Sequence, residues 1–199
     1  MSRVYTRLGD DGSTGLLFGG RVSKADDLVA VVGTLDEAVA ALGLARASLS
    51  HRQLREQILR VQRELFVVGA DIASNPRARD QLVAGVSLVT SGMVADIEAL
   101  IDTLVAEQPL RPVFVVPGES LGSAAIDLGR TIVRRAERQL VGCRGPGAGP
   151  DPLTGTAEGA DAHRWPLVYL NRVSDLLYVL ARQANDGLDE PPSHHLATG

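Results

Sequence analysis

The residues best equipped for chemistry in this sequence are arginines. The run Arg130-Thr131-Ile132-Val133-Arg134-Arg135-Ala136-Glu137-Arg138 is dense in them. At about 100° per residue, Arg130, Arg134, Glu137 and Arg138 of a helix share roughly a quarter-turn arc. Three guanidiniums on one stripe repel one another unless an anion lies against them. Glu137 can neutralise one. The others want a carboxylate or a phosphate, whose oxygens suit the planar guanidinium fork. Taken alone, the pattern also fits a solvated basic face.

Two further features offer complementary groups. Asn171, Asp175, Tyr178 and Arg182 follow one another at helical spacing and make a single polar line. The other side of that helix carries Leu170, Val173, Leu177 and Leu180. Asn171 can donate and accept at once, as recognition of a base or ribose requires. Ordinary amphipathicity, with Asp175 paired to Arg182 or to another helix, accounts for the same line. Near the start, Thr6-Arg7-Leu8-Gly9-Asp10-Asp11-Gly12-Ser13-Thr14-Gly15 mixes glycines with hydroxyl donors. Glycine lets backbone amides turn inward, so such a loop can cradle phosphates, and Lys24 can add a point charge. No GK[ST] follows, so it is not a Walker A loop, and flexible termini share this composition.

Other catalytic signatures are missing. The sequence contains no HExxH or CxxC motif. His194 and His195 fall in the expected tail and suit a flexible end better than a metal site, and no metal ligands are assigned. The lone Cys143 cannot form an internal disulfide and reads as a structural or surface thiol.

Helices must position these groups. Apolar residues recur at helical spacing from Ala25 to about Ser48, from about His51 to Ala73, and from near Ser87 to Gln108. Two more helices span about Ser120 to Val141 and about Ala162 to Asn185. Asn75-Pro76 marks a break. Pro109, Pro112 and Pro117 bracket the short apolar run Val113-Phe114-Val115-Val116. The pattern predicts an all-α, five-helix bundle in a single domain over 1–186, with an irregular N-terminal arm. Residues 187–199 are expected to be a flexible tail, and the Gly/Pro-rich stretch at 144–161 a lid or a disordered loop. Glycines inside the helices, at 33, 43, 69 and 129, point to close helix packing or to crowding beside a ligand.

Composition agrees with this architecture. Hydrophobic residues make up 45% and aromatics 4%, so the core must come from Val, Leu, Ile and Ala. A net charge of −4 argues against a general nucleic-acid binder or a membrane-surface protein. No stretch reads as a membrane span and no signal peptide opens the chain, so a reducing, cytoplasmic setting is expected.

Taken in order, TRLGDDGSTGL with Lys24, GTLDE at 33–37, RTIVRRAER at 130–138 and NRVSDLLYVLAR at 171–182 resemble the PduO-type ATP:cob(I)alamin adenosyltransferases. The resemblance covers almost the whole chain. It implies a homotrimer of five-helix bundles with active sites between subunits. It assigns Thr6, Arg7, Leu8, Gly9, Thr14, Gly15 and Lys24 to ATP, together with Arg134, Arg135, Glu137, Arg138 and Asn171. Asp36 and Arg130 match the family's intersubunit ion pair, and Phe114 matches an aromatic set against the lower face of the corrin. The implied reaction is attack of Co(I) on the 5′ carbon of ATP, with Mg²⁺ as the metal and adenosylcobalamin and triphosphate as products. A flavoprotein reductase and an adenosylcobalamin-dependent acceptor enzyme are the implied partners. The chain departs from many members at Pro117-Gly118-Glu119 and Leu177-Tyr178, where Pro-Gly-Gly and Leu-Phe are common. Two rival readings are a non-catalytic ATP sensor or cobalamin chaperone and a plain helical interaction module.

Overall fold

A computed structural model describes residues 5–143, 162–185 and 187–193 of the chain. It contains the expected helices: α1 (Asp27–Ser48), α2 (Arg52–Ile72), α3 (Ser91–Glu107), α4 (Leu121–Cys143) and α5 (Arg164–Gln183). Side chains set their starts. Asp26 accepts the Leu28 N–H at 2.9 Å to cap α1, and Ser120 accepts the Ser123 N–H at 3.0 Å to open α4. Helix α3 begins at Ser91, later than the pattern suggested, because the residues before it are bound elsewhere. Ser87 Oγ accepts the Val83 N–H, and the Val89 N–H donates to Asp71. The Asn75-Pro76 break becomes a 3-10 turn, Pro76–Gln81. Arg79 Nη2 donates to the fully buried Asp71 at 2.6 Å and ties that turn to the end of α2.

Each helix contributes one buried stripe. Val31, Leu35, Ala38, Leu42 and Ala45 of α1 meet Ile126, Val133, Ala136 and Leu140 of α4 in the core. Leu170, Val173, Leu177 and Leu180, the apolar side expected of α5, are all fully buried. Helix α1 packs against both α4 and α2, and α5 packs against α4 and α3.

Helices α1 and α4 run antiparallel and very close. A Cβ built on Gly129 would lie 2.7 Å from Leu42 Cδ2, and one on Gly122 would lie 2.7 Å from Leu49 Cδ2. Toward the other end of the pair, Thr34 Oγ1 donates to Gln139 Oε1 at 2.7 Å. Close packing therefore explains Gly129. Gly43 is a milder case, 3.3 Å from Gln62 Nε2, whereas Gly33 and Gly69 face open space. The antiparallel course also brings Cys143 near Asp26 and Asp27. Burial first, and then these two carboxylates, push its thiol pKa up, and Sγ donates to the Gln139 carbonyl.

Three expectations need correction. The arm is not wholly irregular: β1 (Ser13–Gly15) pairs antiparallel with β2 (Arg21–Ser23), with Thr14 opposite Val22. These strands are too short to leave a periodic signal. The tail from Gly187 was expected to be flexible, yet its described part, 187–193, docks on the bundle, and Glu190 is only 3% exposed. An ion pair with Arg182, invisible in a Pro-rich sequence, holds it there. Finally, α1 does have the length and hydropathy of a membrane span, 22 residues with a window mean of 1.8. Its apolar stripe is used in the bundle core, and Asp36 and Glu37 sit near its middle. The 144–161 stretch and His194–His195 lie outside the described residues.

Two measurements check this packing. Gly129→Val should destabilise the fold by about 1–3 kcal/mol in urea unfolding at fixed protein concentration, because Leu42 is fully buried and has little room to retreat. An unchanged midpoint would mean that the close approach is not required. Iodoacetamide should alkylate Cys143 at pH 8 several-fold more slowly than it alkylates glutathione, since a raised pKa leaves less thiolate. Equal rates would contradict the buried, acid-flanked setting.

Candidate functional site

The arginine stripe lies along the C-terminal half of α4. Arg134, Arg135 and Arg138 are exposed, while Glu137 is half-buried. Their partners differ from those that spacing suggested. Arg135 pairs with Glu37 of α1, a residue 98 positions away in the chain. Among the described residues Glu137 pairs with no arginine; it accepts a hydrogen bond from Asn171 Nδ2 at 2.9 Å. Arg138 Nη1 donates to the Arg134 carbonyl at 3.1 Å, which bends it back along its own helix. Arg134 has no ionic partner among the described residues.

Asn171 sits at the junction of α4 and α5. Its Nδ2 is taken by Glu137, and its Oδ1 accepts from Arg172 Nη1 at 2.7 Å. Arg172 in turn donates from Nε to Glu98 Oε1 of α3 at 2.7 Å. A chain of polar contacts thus runs from α3 through α5 to the arginine face, and it fixes the amide orientation of Asn171. Neither Arg172 nor Glu98 was marked by the sequence, since each looks like an ordinary surface charge until the helices pack.

The arm forms a second polar feature. Thr6 Oγ1 accepts the Leu8 N–H at 3.4 Å, and Arg7 adopts a left-handed backbone, φ 62°, with its guanidinium 5.5 Å from the Tyr5 ring centre. That conformation is uncommon for a residue with a side chain. Lys24 Nζ donates to the Gly9 carbonyl at 2.7 Å, and a Cβ on Gly9 would approach Nζ to 3.1 Å. Asp11 accepts from both the backbone and the hydroxyl of Ser13, and these bonds hold its carboxyl below the usual carboxylate range. Arg21 caps the loop by donating to the Leu8 carbonyl and to Ser13 Oγ. Thr14 and Gly15 lie in β1.

The arm and the arginine face have different anchors in the fold. The arm is anchored at the end of α2, where the Leu17 N–H donates to the Ala73 carbonyl and the Asn75 N–H to the Leu17 carbonyl, each at 2.9 Å. Helix α1, which follows the arm, packs against both α2 and α4. Among the described residues, no hydrogen bond or ion pair joins the phosphate-type loop to Arg134 or Arg138. Asp36 and Arg130 are likewise apart. Asp36 lines an apolar groove of about 300 Å³ between α1 and α2, beside Val32 and Phe66. Arg130 Nε instead donates to Asp127 Oδ1 at 2.7 Å.

Phe114 lies at the other end of the molecule and is 80% exposed. Below it, a cleft of about 210 Å³ opens between its strand, Tyr178, Arg182 and the docked tail. Arg182 pairs with Asp127 and Glu190, not with Asp175, which is exposed. The Tyr178 ring lies 4.8 Å from the Arg182 guanidinium and 5.8 Å from that of Arg130. Asp127 and Glu190 escaped notice because their partner is distant in the chain. No group of three or more metal-ligating side chains occurs among the described residues.

Known proteins share this architecture. The family described as cobalamin adenosyltransferase matches residues 4–184. A corrinoid adenosyltransferase of Citrobacter freundii is 35% identical over 182 residues, covering 92% of this chain and 94% of the relative. One from Mycobacterium tuberculosis (strain ATCC 25618 / H37Rv) is 36% identical over 191 residues, covering 93% and 90%. A solved structure of a variant PduO-type ATP:corrinoid adenosyltransferase from Lactobacillus reuteri, complexed with cobalamin and ATP, matches with a TM-score of 0.76 at 25% identity. It spans 96% of this chain and 98% of its own. With the family matched from the arm to the end of α5, the chain belongs to the cobalamin adenosyltransferases.

Proposed function

We propose that this chain transfers the 5′-deoxyadenosyl group of ATP to cob(I)alamin, giving adenosylcobalamin and triphosphate, at sites formed between copies of a homotrimer. The observation that carries the reading is the solvent-facing pair Arg134 and Arg138 beside the fixed Asn171–Glu137 contact. It combines uncommitted positive charge for phosphates with an oriented polar edge for a nucleoside.

The cobalt lone pair attacks C5′. A Co–C bond forms as the C5′–O bond breaks, and the triphosphate leaves with that electron pair. The nucleophile carries no proton, so no serine, cysteine or general base is needed. The protein's part is to position the two substrates and to stabilise charge on the leaving group. Arg134 and Arg138 do this directly. Arg135 exchanges Glu37 for a phosphate oxygen when ATP binds. Thr6 to Gly9, Thr14, Gly15 and Lys24 close over the triphosphate with backbone and side-chain donors. Mg²⁺ suits this arrangement as an ion carried by ATP, because it needs few protein ligands when phosphates and water supply the rest. Phe114, in its apolar strand, covers the lower face of the corrin and keeps an axial ligand away.

The lack of any hydrogen bond or ion pair, among the described residues, between the arm and the arginine face supports a site completed by a second copy. The outer side of α1 supports the same view, because Leu44 is 52% exposed and the groove beside Phe66 is apolar. In the assembly, Asp36 of one copy reaches Arg130 of another. A lone thiol fits the reducing cytoplasm, where a flavoprotein reductase supplies reduced cobalt and an acceptor enzyme takes the product.

An anaerobic assay with cob(II)alamin, a strong reductant, ATP and Mg²⁺ tests the reaction; growth of the adenosylcobalamin spectrum with triphosphate release is expected. ATP binding without turnover would indicate a sensor instead. Arg134→Ala should lower kcat/KM by about 10²–10³, the effect of removing one donor to developing charge, and near-normal turnover would sink that role. Phe114→Ala should slow turnover from cob(II)alamin while leaving ATP affinity intact, and a parallel loss of ATP binding would argue against a corrin contact. For Asp36→Ala, sedimentation should show weakened assembly together with reduced activity; an unchanged trimer with unchanged kinetics would remove the intersubunit pair.

A further inference from the structure

We propose that Glu190 is a positioning residue for the reaction: it latches the segment Leu188–Ser193 to Arg182, and that segment fixes the strand bearing Phe114. The inference rests on reading Phe114 as the corrin-facing residue.

The strand from Val113 to Val116 has little else to hold it. Pro109, Pro112 and Pro117 around it remove backbone donors. Among the described residues, its backbone bonds to another segment run only to the docked tail. The Val116 N–H donates to the Pro191 carbonyl at 2.8 Å, and the Ser193 N–H donates to the carbonyl of Phe114 itself at 2.7 Å. Val115 stands opposite Pro192 in an antiparallel bridge. The tail is therefore bridged to the segment that carries the exposed ring.

Charge holds the tail down. Glu190 is 3% exposed, and its Oε2 lies 2.7 Å from Arg182 Nε, while Arg182 is 8% exposed and also bonded to the buried Asp127. Ser123 Oγ donates to Glu190 Oε1 at 3.3 Å. Arg111, just before the strand, donates to the Glu190 carbonyl at 3.0 Å and pairs with Asp189. A carboxylate buried this deeply is retained only while its cation is in place. Its removal leaves Arg182 still paired with Asp127, so the bundle survives while the tail loses its anchor.

Hydrogen exchange on the full, substrate-free chain reads the latch directly. In Glu190→Ala the Val116 amide should exchange at least about tenfold faster, with the thermal unfolding transition retained; Glu190→Gln, close in shape but uncharged, should fall between it and the parent. In the adenosyltransferase assay, Glu190→Ala should raise KM for cobalamin about tenfold and leave ATP affinity within about twofold. Because the latch acts through Phe114, Glu190→Ala combined with Phe114→Ala should be no worse than Phe114→Ala alone. Parental protection of Val116, equal losses for ATP and cobalamin, or losses that add would each overturn the proposal. A parent chain that makes no adenosylcobalamin would overturn the reading of Phe114 itself. The exchange result, obtained without substrates, separates that failure from a failure of the latch.

Discussion

The close approach of α1 and α4 is the constraint on which the rest depends. Leu42 and Leu49 occupy the spaces left by Gly129 and Gly122, where a Cβ would stand 2.7 Å from a leucine methyl carbon. The two leucines and the two glycines have matching spacing, so a slip of one turn would set a leucine against a side chain instead of a notch. Register is therefore discrete. It places Thr34 on Gln139 and Glu37 on Arg135, and so decides where the arginine stripe faces. Interior packing of this kind resists continuous drift, which is what a site made of long, flexible arginines needs from its scaffold.

Helix α4 serves two different neighbourhoods from one surface. Its C-terminal half offers Arg134 and Arg138 to solvent near the junction with α5. Its N-terminal half turns Asp127 inward to gather Arg130 and Arg182. The contrast is one of satisfaction. Arg134 and Arg138 in the first region have no ionic partner among the described residues; the charges in the second are matched and largely dry, as befits a structural cluster. Arginines on one helix thus have opposite roles according to whether a carboxylate has already claimed them.

Much of this was legible in the sequence. The helices followed from spacing, most clearly in α5, where Leu170, Val173, Leu177 and Leu180 mark a face that proves fully buried. Helix α1 was read from the same spacing, although it is apolar nearly all round, which suits a helix with neighbours on several sides. Partner choice was not legible. Nothing local links Glu37 to Arg135 or Glu190 to Arg182, and the polar line of α5 offered Asp175 in place of the true partners. The docked tail was hidden similarly, since a Pro-rich stretch has no periodicity and its anchor is one ion pair. The candidate residues were readable as a list, whereas their partners required the packing.

Tyr178 shows what such packing asks of a single position. Its ring lies beside the guanidiniums of both Arg130 and Arg182, and its hydroxyl has no hydrogen-bond partner among the described residues. The attraction of a guanidinium to an aromatic ring comes from the charge distribution over the ring face, which phenylalanine shares. This place in the sequence therefore selects for a flat aromatic surface and is indifferent to the phenol. The exchange of Leu-Phe for Leu177-Tyr178 is, at that level, a change of spelling without a change of meaning.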